Sequence, residues 1–132
     1  MLNTYQIQTN RAHGLYNITN QVRQAIAESN ITEGLCVVFT PHTTAAITIN
    51  ENADPDVLHD INLGLDTTFP NKREYLHMEQ NSDAHIKSSL VAAQTTIIIH
   101  QGRPILGRWQ DIYFCEFDGP RNRTFYVKTI EG

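Results

Sequence analysis

The chain has 132 residues, 40% of them hydrophobic and 18% charged, with a formal net charge of −4 at pH 7. That is enough for one domain, spanning residues 1–132, with a core of its own. It is too apolar for a disordered chain and too acidic for sequence-independent nucleic-acid binding, which needs a basic face. No apolar run approaches the roughly 20 residues of a transmembrane helix, and the opening MLNTYQIQTN lacks the apolar segment of a signal peptide. A cytoplasmic protein with neither a membrane nor a nucleic-acid partner is the expectation.

Residues 2–8 alternate polar and apolar, as a half-buried strand does. From Ile18 to Ser29 the apolar positions Ile18, Val22, Ala25 and Ile26 recur at helical spacing, with Thr19 as an N-cap. LCVVFT (35–40) is a β-rich run of the kind buried on both faces, closed by Pro41, and AITINE (46–51) follows as a second strand. Asp54-Pro55 opens a helix that turns Val57, Leu58, Ile61 and Leu65 inward and ends near Phe69-Pro70. The polar stretch 71–83 reads as a loop, with Asp83 capping a helix over 84–93. TTIIIH (95–100) is a strand, 105–118 a longer one, and DGPRNR (118–123) the turn of a C-terminal hairpin. The sum is an α+β fold, with sandwich-like mixed or antiparallel sheets and about three helices on one side. So much strand edge in a small domain favours oligomerisation. Cys36 and Cys115 sit in apolar strands and read as buried, reduced thiols.

The chemistry candidates are histidines. His42 follows a strand in PHTT, and His77 and His85 bracket the polar loop HMEQNSDAH, where a turn can bring two imidazoles together. That spacing matches no standard zinc motif. His13, His59 and His100 read as loop, surface and strand-end residues. Arg121 and Arg123 share a face in extended backbone and suit phosphate, or else pair with Asp111, Glu116 or Asp118. Lys87 lies near the start of the third helix, where amides favour anions. Glu51 is either a general base or an orienting partner for a histidine, or else only a turn carboxylate.

FTPHTTAAITINENADPDV, YLHMEQNSDAHIKSSL and GRWQDIYFCEFDGPRNRTFYVK together resemble the YjbQ family of small bacterial and archaeal proteins, over essentially the whole chain. The resemblance implies a homotrimer with sites near subunit boundaries, and secondary thiamine-phosphate synthase activity. That reaction joins a hydroxymethylpyrimidine diphosphate to a thiazole phosphate and expels pyrophosphate. The resemblance also implies a site at His42, His77 and His85 that holds a divalent metal. Three imidazoles with one open position suit zinc, whereas the synthase reaction calls for Mg²⁺, which prefers oxygen ligands. Asn50, Glu51, Asn52, Lys87, Trp109, Gln110, Arg121 and Arg123 fall on the family's other site positions. Two departures stand out: LVAAQ lacks a glycine usual in the third helix, and GRWQDI replaces GTWQGI, adding Arg108 and Asp111 as a charge pair. Three readings follow: a small-molecule enzyme holding phosphate, a metal-dependent hydrolase in which Glu51 activates a zinc-bound water, and a non-catalytic trimeric metabolite-binding module.

Overall fold

Apolar alternation sorts the strands into two antiparallel sheets in a computed structural model of the chain, which describes residues 1–132. In chain order the elements are β1 (Leu2–Gln8), β2 (Gly14–Asn17), α1 (Thr19–Ser29), β3 (Glu33–Phe39), β4 (Ala45–Glu51) and α2 (Pro55–Thr68). They continue as α3 (Ser82–Val91), β5 (Gln94–His100), β6 (Arg103–Pro104), β7 (Gln110–Glu116) and β8 (Asn122–Glu131). The larger sheet runs β1-β8-β3-β5-β6 and the smaller β2-β7-β4. This is an α+β fold with three helices.

The small sheet is the middle layer, because successive side chains of a strand point to opposite faces. From β4 and β7, Ala45, Ile47, Ile112 and Phe114 point toward the larger sheet and share its core with Cys36, Val38, Phe125 and Val127. Ala46, Tyr113 and Cys115 point the other way, where Ala84 of α3 and Leu58, Ile61 and Leu65 of α2 cover them. Asp54 caps α2 by accepting the Asp56 amide at 2.9 Å, and Pro55 fills the first helical position, as the sequence predicts.

Six expectations change. No C-terminal hairpin forms across 118–123, since β7 pairs in the smaller sheet and β8 in the larger. Helix α3 starts at Ser82 behind Asn81, so Asp83 lies in its first turn and does not cap it. Helices α2 and α3 share a side, but α1 does not join them: its Ile18, Val22, Ala25 and Ile26 enter the core between the sheets. The run LCVVFT is buried on one face only, with Leu35 43% and Phe39 41% exposed, because no helix covers the outer face of the larger sheet. Thr19 does not cap α1: Ile18 holds that position, while the Thr19 hydroxyl accepts the Ile112 amide at 2.8 Å. The strand over 105–118 shrinks to 110–116, since Gly107 and Gln110 close a turn in front of it. One strand, β2, lies in a stretch that the sequence leaves without regular structure, because its burial against β7 comes from long-range pairing. Both cysteines are free and buried, and burial pushes the thiols up, Cys36 to about 11 and Cys115 to about 12.

Candidate functional site

Antiparallel pairing sets the two ends of the small sheet: Ala45 lies opposite Glu116, and Glu51 lies opposite Gln110. Six residue steps of strand separate Ala45 from Glu51, roughly 20 Å. The candidate residues divide between these ends.

At the first end, the Pro41–Thr44 turn meets the N-terminus of α3 and the 118–124 segment. His77 and His85 touch edge to face, ring centroids 5.3 Å apart and planes at 83°. They line a cavity of about 270 Å³ together with Thr43, Thr44, Asn81 and Arg121. Its neighbour, about 500 Å³, shares Thr43 and His85 and adds His42, Ser88 and Ala92. The HMEQNSDAH loop thus does bring its two histidines together, and His42 borders the adjoining hollow.

A buried ion pair holds this end in place. Glu116 is fully buried and Arg123 is 3% exposed; the Arg123 guanidinium donates to both Glu116 oxygens, through Nε at 2.9 Å. Its Nη2 also grips the turn, donating to Thr44 Oγ1 at 2.9 Å and to the Thr44 carbonyl at 3.3 Å. Glu116 further accepts the Thr9 hydroxyl at 2.7 Å and the Asp118 amide at 3.0 Å. Burial pushes the Glu116 carboxyl up, but the Arg123 bond, the Asp118 amide and the Thr9 hydroxyl outweigh it and hold it below its ordinary value. Asp118 is likewise lowered: burial opposes the shift, and hydrogen bonds from Asn81 and Arg121 win.

The two arginines therefore do not share a face. Arg123 is committed inward, while Arg121 lies on the cavity rim, donating to the Asp118 carbonyl at 2.7 Å and carboxylate at 3.0 Å. Its Nη1 keeps donors to spare. Lys87 is not free for an anion either: it is 1% exposed and bonds Asp66 and, at 3.3 Å, Asp83. Sequence reasoning named Glu116 and Asp118 only as partners for the arginines and missed Thr44; a carboxylate in the apolar run IYFCEF is the signal for a buried pair.

His42 accepts the Thr124 amide on Nε2 at 2.9 Å. Burial lowers its pKa first, and the charges of Arg123 and Arg121 lower it further, against Glu116. A ring that accepts an amide on Nε2 has no proton there, so the Nε2 lone pair is already used. No three His, Cys, Asp or Glu side chains of the chain converge to hold a metal ion. The donor set does not fit the three-imidazole metal centre that the resemblance implies.

At the second end, Glu51, Asn50, Asn52, Trp109 and Gln110 form a surface group. Gln110 Oε1 accepts the Gly107 amide at 2.7 Å, Asn52 donates to the Gln110 carbonyl at 3.3 Å, and the Asn50 side chain accepts the Glu51 amide at 2.8 Å. Trp109 is half-exposed beneath the Arg108 guanidinium, 4.8 Å from the ring centre. Asp111 accepts from Asn17 at 2.7 Å, so the expected Arg108–Asp111 pair does not form. Within one chain this group does not reach the histidines.

A three-helix, two-sheet α+β protein with a histidine pair at a sheet end is the class that this architecture defines. Residues 3–132 match the family described as UPF0047 protein YjbQ-like, and the chain belongs to that family. It is 56% identical to a UPF0047 protein of Methanocaldococcus jannaschii over 98% of this chain and 94% of that one. It is 51% identical to the UPF0047 protein YugU of Bacillus subtilis, over 98% and 99%. A crystal structure of a YjbQ/UPF0047 protein from Clostridium acetobutylicum superposes with a TM-score of 0.95 at 52% identity, covering 97% of this chain and 99% of that one. A YbjQ-like protein of unknown function from Sulfolobus solfataricus gives 0.96 at 30% identity, over 100% and 97%.

Proposed function

We propose that this protein is an enzyme acting on a phosphorylated small molecule, in which His77 and His85 move a proton and Arg121 holds phosphate. The observation that carries this reading is the contact of His77 and His85, 5.3 Å apart, in the cavity that Arg121 also lines. Adjacent imidazoles are suited to proton transfer near neutral pH, and a guanidinium with spare donors is suited to a phosphoryl group. The reaction proposed is the one that the resemblance implies. The thiazole nitrogen forms a bond to the pyrimidine methylene carbon as its C–O bond to diphosphate breaks, and the departing pyrophosphate takes the electron pair. Arg121 offsets the charge that develops on the leaving group, and an imidazolium supplies its proton.

The assembly proposed is the homotrimer. The uncovered outer face of the larger sheet, with Leu35, Phe39, Ile98 and Ile130 exposed, is apolar surface that association would remove from water. Association of copies is also the route by which the Glu51 end of one chain can approach the histidine end of another.

Thiamine-phosphate formation from the two phosphorylated precursors, measured for wild type and His85→Ala, tests the reading. Product from wild type and its loss in a folded His85→Ala variant is the expected result; equal rates in both, or none in either, refutes it. Sedimentation should give three times the 15.0 kDa chain mass.

A further inference from the structure

The His42 hydrogen bond has a consequence for what this end of the molecule binds. A neutral imidazole has one N–H and one lone pair. The Nε2 lone pair accepts the Thr124 amide at 2.9 Å, so the proton sits on Nδ1, which has no acceptor in the chain. Metal ligation through Nε2 requires breaking that bond and orphaning the amide. Ligation through Nδ1 requires stripping the ring of its only proton while Nε2 still accepts. Thr124 is itself anchored, its carbonyl accepting the Thr40 hydroxyl at 3.2 Å, and the adjacent Arg123 clamps Thr44 on the far side of the turn. Both flanks of His42 are therefore fixed.

The turn adds more donors. None of the chain's backbone hydrogen bonds outside helices and strands starts at the amides of His42, Thr43 or Thr44, although Thr44 is only 6% exposed. An uncompensated amide at a buried residue costs free energy unless a ligand or an ordered water satisfies it. Successive free amides make a concavity that takes anions. His42 and Thr43 border one cavity, and Thr43, Thr44 and Arg121 the next, where the carboxylates of Glu79 and Asp118 also stand, Asp118 already taken up by Arg121 and Asn81. A ligand that satisfies this set supplies acceptors only, which is the character of a phosphoryl group.

We propose that His42, with its proton fixed on Nδ1 by the Thr124 amide, donates a hydrogen bond to a phosphoryl oxygen and, with the Thr43 and Thr44 amides and Arg121, forms a metal-independent diphosphate cradle. This deepens the reading of a phosphorylated substrate and rests on it. His42 recognises substrate here rather than holding a metal.

The test uses the full ¹⁵N-labelled chain and inorganic pyrophosphate as the probe. Long-range ¹H–¹⁵N spectra at neutral pH should show the His42 proton on Nδ1 and an unprotonated Nε2. Pyrophosphate added without divalent metal should shift the Thr43 and Thr44 amides and the His42 Nδ1 resonance. His42→Asn, whose amide NH₂ can replace Nδ1–H, should bind pyrophosphate within about threefold of wild type, while His42→Ala should bind about tenfold more weakly. The proposal is overturned by a proton on Nε2, by pyrophosphate binding only when Zn²⁺ is present, or by wild-type affinity in His42→Ala. The tautomer is read on wild type, so a variant that fails to fold does not shield the idea. Turnover is measured separately: a cradle that binds without product formation refutes the enzymatic reading and leaves the cradle standing, whereas turnover with a proton on Nε2 does the reverse.

Discussion

The two ends of the small sheet use similar residue types in opposite ways. At the Ala45–Glu116 end a buried arginine and glutamate hold each other and a turn, and two histidines and a second arginine face open cavities. At the Glu51–Gln110 end the polar groups bond at the surface and tie the 50–52 and 107–110 loops to each other, with no buried ion pair beneath them. The difference teaches where preorganisation comes from. A buried charge must be paired and hydrogen-bonded or it destabilises the fold, so a satisfied buried pair fixes every group that satisfies it. Thr44, Thr9 and the Asp118 amide are held in this way at the histidine end.

The largest expected effect sharpens that contrast. Arg123→Met leaves Glu116 buried without its partner and should cost about 3–5 kcal/mol in urea denaturation. Gln110→Ala at the other end should cost about 1 kcal/mol, the net value of one hydrogen bond. Equal losses would remove the distinction between the ends. Acid should act on the same pair. Glu116 is held below its ordinary value when folded, so its contribution to stability is complete above the ordinary glutamate range, about 4.3. It is lost as pH falls through the lower folded value. Thermal unfolding between pH 6 and pH 3 should show the decline in wild type and a shallower one in Glu116→Gln.

Smaller effects probe the cavities. Arg121→Ala should weaken pyrophosphate binding about tenfold, as loss of a charge-assisted hydrogen bond does. Its stability should change by less than about 1 kcal/mol, because its pair with Asp118 is half-exposed. Titration calorimetry and urea curves on the same sample separate the two. The smallest effect belongs to Glu51→Gln: pyrophosphate affinity should stay within about twofold, since roughly 20 Å of strand separates Glu51 from the cradle. If turnover nevertheless falls in that variant, the two ends meet across a subunit boundary.

Much of the fold was legible in the chain. The Asp54-Pro55 start of α2, the alternation of β1 and the polar loop after α2, read as 71–83 and ending at 81, are local signals, and local backbone chemistry decides them. The sequence allowed the pairing of His77 with His85, since a turn between them can bring two imidazoles together, but the spacing did not require it. The roles of Arg123 and Lys87 were not legible. Two residues of spacing make Arg121 and Arg123 look equivalent, yet one lies at the rim and one beneath the turn, because β8 begins between them, at Asn122.

By itself the sequence determined the α+β class, the family and the order of the elements other than β2 and β6. Those depend on periodicity, caps and motif order, which are properties of neighbouring residues. Only the tertiary structure decided that α1 enters the core, that the outer face of the larger sheet is bare and that the candidate residues divide between two ends of β4. It also decided that Glu116 takes Arg123 and that Thr124 takes the Nε2 lone pair of His42, a contact spanning 82 residues of chain. Partners so far apart are chosen by strand register and by the requirement that buried polar groups be satisfied, and neither is written in local pattern.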